Sequence, residues 1–143
     1  MNSFVLDASV AAKWFLPQDE EPLAAEALQL AEGYAGGSIA LIVPDLFWIE
    51  LANILWKAQR IGRISAGAAE DALQSAVDLH IPTYGSDAVL KDAFAIATRF
   101  QRTVYDCIYI SLAIFAQRPM ITADRRLFHA VGAEFPVKWL GSF

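Results

Sequence analysis

Four acidic residues, Asp7, Glu50, Asp106 and Asp124, stand beside or inside apolar segments, where a carboxylate needs a reason to be. Asp7 follows Phe4-Val5-Leu6, and Asp124 follows Met120-Ile121-Thr122-Ala123. Glu50 has Leu46, Phe47 and Ile54 at i−4, i−3 and i+4, so on a helix it shares a face with side chains that seek burial. Asp106 has Tyr109 and Ile110 at i+3 and i+4. Taken singly, each acid has a structural explanation. Asp7 and Asp124 precede helix-like segments and suit N-caps, Glu50 could pair with Lys57 or another base, and Thr103-x-x-Asp106 is a capping-box variant. Burying ionised carboxylates without partners costs several kcal/mol, however, and little basic charge lies beside Glu50 or Asp106. A divalent cation accounts for all four together. Hard cations take oxygen ligands, and magnesium is commonly held by one or two carboxylates, waters and a substrate phosphate. Without a cation, clustered carboxylates repel and raise one another's pKa values. Ser9 and Thr122, each two residues from an acid, suit donors that orient those carboxylates, although both are also ordinary turn or cap residues.

The elements around these residues alternate. Residues 3–6 read as a strand, 8–16 as a helix ended by Pro17, and 23–34 as a helix stopped by Gly33, Gly36 and Gly37. Residues 39–43 are a continuous apolar run of strand length, and Asp45 is placed to cap a helix over 46–61. Further helices are expected over 65–79, 86–100, 103 or 104–116 and 124–131, with strands over 81–84, 119–123 and 137–140. Apolar strands without alternation, separated by helices, predict an α/β fold with a mostly parallel central sheet covered by helices on both faces. Right-handed crossovers then line the strand C-terminal ends along one edge, which is where Asp7 and Asp124 fall.

The chain of 143 residues suits a single domain over 1–143, with no internal repeat or linker. At 56% apolar and 19% charged residues it is not a disordered chain, and the excess of apolar surface suggests a covering partner. Eleven Lys and Arg against 16 Asp and Glu exclude a basic nucleic-acid coat protein, but not a nucleic-acid enzyme, because a bound cation supplies charge that the count omits. The lone Cys107 and the lack of a Cys or His cluster at zinc spacing suit a reducing compartment. No signal peptide or bilayer-length apolar stretch is evident, so a cytoplasmic protein with no membrane association is expected.

Asp7-Ala8-Ser9 after the first strand, Glu50 in a mid-chain helix, Tyr105-Asp106-Cys107 before an apolar helix and Thr122-Ala123-Asp124 after a late strand together resemble a PIN domain. The chain looks most like the VapC group of bacterial and archaeal toxin ribonucleases, from about residue 2 to residue 140. Cys107, where the family more often has Ala, and the Gly-rich stretch over 33–38 are departures that remove no acid. The resemblance implies a Rossmann-like sheet and a magnesium- or manganese-dependent endoribonuclease, usually a dimer held by a cognate antitoxin. It implies Asp7, Glu50, Asp106 and Asp124 as the acidic site, Asp124 through water, with Ser9 and Thr122 supporting them. A metal-activated water would need no covalent protein intermediate and would leave a 5′-phosphate and a 3′-hydroxyl. Lys13, Arg99, Arg102, Arg125 and Arg126 are candidates for RNA phosphate contacts, or else solvated surface charges. Trp48, Ala52 and Trp56 lie on the side of the 46–61 helix away from Glu50, either as a partner interface or as part of a larger core.

Three rivals share parts of this pattern. A haloacid-dehalogenase-like phosphohydrolase would use the first Asp as nucleophile but generally wants a second Asp two residues on, where this chain has Ser9. A receiver-like phosphoacceptor would carry its acidic pair at the first strand rather than a Glu on a helix. A catalytically silent PIN-like module would keep the acids and only bind a partner.

Overall fold

The computed structural model describes residues 2–143. Its strands are β1 (Asn2–Leu6), β2 (Ile39–Pro44), β3 (Thr83–Tyr84), β4 (Met120–Thr122) and β5 (Val137–Trp139). They form one sheet in the order β3-β2-β1-β4-β5, with every pairing parallel. Successive strand residues face opposite sides, yet Phe4, Val5 and Leu6 are all buried, as are Leu41, Ile42 and Val43. Both faces of the sheet centre are therefore covered, which explains runs without alternation.

The connecting helices are α1 (Ala8–Ala11), α2 (Ala24–Ala35), α3 (Leu46–Arg60), α4 (Ala66–Val77), α5 (Leu90–Phe100), α6 (Val104–Ala116) and α7 (Arg125–Val131). From β1 the chain winds outward through β2 and β3, then returns to add β4 and β5 on the other side. The reversal between β1 and β4 opens a crevice at their C-terminal ends. The register sets its floor: Leu6 pairs with Ile121, and the Asp7 N–H donates to the Ile121 carbonyl at 3.1 Å.

Several expected boundaries differ. The helix expected over 8–16 is one α-helical turn that tightens to a 3-10 helix over Ala12–Trp14. The 81–84 strand contracts to Thr83–Tyr84, an exposed edge with one neighbour, so nothing rewards longer pairing. Asp45 does not cap α3; its backbone is already helical, and its carboxylate accepts from the Ser86 N–H at 3.2 Å and from the Ser86 hydroxyl. The Gly-rich stretch ends α2 in a Schellman turn: Gly37 (φ 80°) donates to the Tyr34 carbonyl and Ser38 to that of Gly33.

Candidate active site

Asp7, Glu50, Asp106 and Asp124 line one cleft of about 210 Å³, joined by Ser9 and by Asn53, one helical turn beyond Glu50. Each acid comes from a different element: Asp7 from the end of β1, Asp124 from the turn after β4, Glu50 from α3 and Asp106 from the first turn of α6.

Asp7 does not cap α1. Its Oδ2 accepts from the Thr122 hydroxyl at 2.7 Å and the Ser9 hydroxyl at 2.8 Å. Both donors are themselves anchored, since Ser9 Oγ accepts from the Ala123 N–H (3.1 Å) and Thr122 Oγ1 from the Asp124 N–H (3.0 Å). The two hydroxyls thus lock the ends of β1 and β4 together around one carboxylate oxygen. Asp124 is the N-cap of α7, its Oδ1 accepting from the Leu127 N–H at 3.1 Å. The cap uses one carboxylate oxygen, and the residue also lines the cleft. Thr103 caps α6 by accepting from the Asp106 N–H, while the Asp106 carboxylate lies 3.6 Å from Arg102 Nη2.

Glu50 has neither of its expected partners. Among the described residues its carboxylate forms no ion pair; Oε1 accepts a 2.6 Å hydrogen bond from the Tyr109 hydroxyl. Tyr109 is 2% exposed and lies one turn beyond Asp106 on α6, so that helix supplies one acid and the clasp on another. The sequence reading counted Tyr109 only as an apolar neighbour. The available signal was a Tyr at a core position, whose buried hydroxyl must find a partner.

Burial is the largest influence on three of the acids, and it raises the pKa of each. For Asp7 the Thr122 and Ser9 hydroxyls oppose the rise and the Asp106 charge adds to it. For Glu50 the Tyr109 hydroxyl opposes it, and the charges of Asp7 and Asp106 add. For Asp106 Arg102 opposes it and Asp124 adds. Burial also holds the Tyr109 phenol far above its ordinary value, with Asp7 and Glu50 reinforcing it, so this group remains a donor.

The donor set is four carboxylates with hydroxyl and amide support, all hard oxygen chemistry. Among the described residues no three His, Cys, Asp or Glu side chains converge tightly enough to grip an ion by themselves. Magnesium and manganese keep several waters and bind through few direct carboxylates, so such an ion does not require a tight three-residue grip. The residues fit such an ion, and its charge would offset the mutual repulsion of the acids.

The family model described as PIN domain matches residues 4–134. The chain belongs to the PIN domain family. It is 34% identical over 127 residues to Ribonuclease VapC3 of Pyrobaculum aerophilum, covering 86% of this chain and 90% of that protein. Among solved structures it is similar to PAE2754 of Pyrobaculum aerophilum, with a TM-score of 0.72 at 21% identity, covering 99% of this chain and 85% of that one. A toxin-antitoxin complex from Klebsiella pneumoniae also matches, with a TM-score of 0.58 at 13% identity, over 90% of this chain and 92% of that one. At those identities the two structures speak for the fold.

Within this PIN domain the basic candidates divide. Lys13 is buried, 3.4 Å from Glu21 Oε1, and donates to the Pro22 carbonyl at 2.7 Å, so it does not face the cleft as a free cation. The 3-10 turn directs it into the connector instead. Arg102 stands at the cleft beside Asp106. Arg99, Arg125 and Arg126 are exposed, with Arg99 over the Phe100 ring and Arg125 over the Trp139 ring. The α3 candidates divide too. Trp48 is used inside the fold, packed edge-on against Phe47 and donating to Thr83 Oγ1 at 3.0 Å. Trp56 is 51% exposed and shares a shallow groove with Ala52, between α3 and α4. Other large apolar side chains left open include Ile49, Phe94, Tyr105 and Phe115.

Proposed function

We propose that this PIN domain is a magnesium- or manganese-dependent endoribonuclease that serves as the toxin of a toxin–antitoxin pair. One observation carries the reading: Asp7, Glu50, Asp106 and Asp124 line a single cleft at the C-terminal edge of the parallel sheet. The likeness to Ribonuclease VapC3 supports RNA as the substrate.

In this reading Asp7 and Asp106 hold the cation, Glu50 and Asp124 complete its surroundings, and Ser9 and Thr122 fix the orientation of Asp7. When bound, the ion supplies positive charge at the scissile phosphate and makes an adjacent water more acidic. Glu50 keeps Oε2 for the cleft and accepts the proton of the attacking water. Arg102 at the rim, with Arg99, Arg125 and Arg126 outside it, contacts flanking phosphates. The products carry a 5′-phosphate and a 3′-hydroxyl. The exposed apolar side chains, with Trp56 and Ala52, are contact surface for a cognate antitoxin and a second copy of the chain in the cytoplasm. Among the described residues no helix is long and apolar enough to cross a membrane.

The test is cleavage of a pool of small cellular RNAs by purified, antitoxin-free protein with manganese or magnesium, followed by sequencing of product ends. Discrete cuts bearing 5′-phosphates that vanish with EDTA and in Asp7→Asn support the reading. Folded protein that leaves the whole pool intact, or cuts that survive EDTA, would overturn it.

A further inference from the structure

We infer that Tyr109 is a positioning residue for Glu50: its hydroxyl takes Oε1 and leaves Oε2 as the one oxygen that Glu50 can present to a cation or its water. The inference rests on the proposed cation site and goes beyond it, because Tyr109 does not line the acidic cleft. Two observations meet at this side chain. Its hydroxyl oxygen is 2.6 Å from Glu50 Oε1, within the range of roughly 2.5–2.7 Å expected when an O–H donates to an ionised carboxylate. The ring is 2% exposed in the main core, so the hydroxyl has no solvent to turn to. The hydroxyl thereby ties α6, which carries Asp106, to α3, which carries Glu50.

The physical consequence concerns rotamers. A Glu side chain has three torsions, and Glu50 is only partly buried, with no ion pair among the described residues to restrict it. Without the clasp its carboxylate would swing between the cleft and solvent, and each ion bound would have to order it again. Partners that orient a metal-binding carboxylate typically contribute about 10–100-fold in metal affinity or activity.

The test is manganese binding by isothermal titration calorimetry without RNA, on wild type, Tyr109→Phe, Glu50→Gln and the double variant. Phe fills the same space, and thermal melts with near-ultraviolet circular dichroism check that it folds. Tyr109→Phe is expected to weaken manganese binding about 10-fold. In the Glu50→Gln background the same change is expected to have no further effect, because the residue it acts through is gone. A lower melting temperature with unchanged manganese affinity would make Tyr109 structural only and overturn the inference. An equal loss in both backgrounds would overturn it too, since the effect would then bypass Glu50. Wild type that binds no manganese would remove the cation site itself, an outcome distinct from both. Should Tyr109→Phe not fold, Tyr109→Leu and Tyr109→Met, which also lack a donor, take its place in the same cycle, with the same two outcomes decisive.

Discussion

Replacing Asp7 with Asn should stabilise the metal-free protein and abolish its response to manganese. Both side-chain hydrogen bonds to Asp7 fall on Oδ2, and an Asn carbonyl in that position still accepts from the Thr122 and Ser9 hydroxyls, in weaker bonds than a carboxylate makes. The other oxygen becomes an amide that donates toward Glu50, Asp106 and Asp124 instead of repelling them. What is removed is a half-buried charge, and desolvation is the main cause of the raised Asp7 pKa. Relief of about 2 kcal/mol corresponds to a rise of roughly 6–10 °C in melting temperature for a chain of this size. The assay is differential scanning fluorimetry at about pH 8, with EDTA and then with saturating manganese. Wild type should gain on the order of 2.7 kcal/mol at a hundredfold excess of manganese over its Kd, and Asp7→Asn should gain almost nothing. The stability order of the two proteins therefore reverses when the ion is added. A variant less stable than wild type in EDTA, with manganese moving neither, would refute the reasoning and leave Asp7 as a structural link between β1 and β4.

Thr122→Val perturbs the same hydrogen bond from the other end and should have the opposite sign. It strips Asp7 Oδ2 of a donor and the Asp124 N–H of its acceptor at a fully buried position, costing about 1–3 kcal/mol in chemical denaturation. The metal-free protein should also lose stability as pH rises. Asp7, Glu50 and Asp106 have folded-state pKa values above their ordinary 3.8 and 4.5, so the folded state retains protons that the unfolded chain has released. Stability is highest below those ordinary values and falls as pH climbs through the raised ones; melts in EDTA between about pH 4 and about pH 8 should show the decline, and manganese should flatten it. Arg102→Ala should weaken RNA binding in filter assays and raise the Asp106 pKa further, because Arg102 opposes that rise. Unchanged RNA affinity would place Arg102 in the fold alone.

The acids could be read from sequence because their surroundings were wrong for them. Apolar neighbours at helical spacing marked Glu50 and Asp106, and strand ends marked Asp7 and Asp124, while the register that sets Asp7 beside Thr122 joins strands 115 positions apart and is not specified by parallel pairing alone. Tyr109 escaped because a core Tyr and a core Phe give the same apolar periodicity; only the hydroxyl separates them, and its partner lies 59 positions away. Lys13 misled for a related reason. Six residues from Asp7 it counted as near the cleft, but the helix tightens at Ala12 and turns it toward Glu21 and Pro22, contacts that no local pattern encodes. Asp45 has the sequence of a cap, and Ser86, far along the chain, won its carboxylate.

Where a divalent cation binds can be observed by soaking crystals of the protein in manganese and recording anomalous scattering. The account predicts a peak in the cleft within bonding or water-bridged reach of Asp7 and Asp106, with Glu50 and Asp124 around it, absent from Asp7→Asn crystals soaked alongside. A cleft without a peak, beside manganese held elsewhere on the chain, would contradict it.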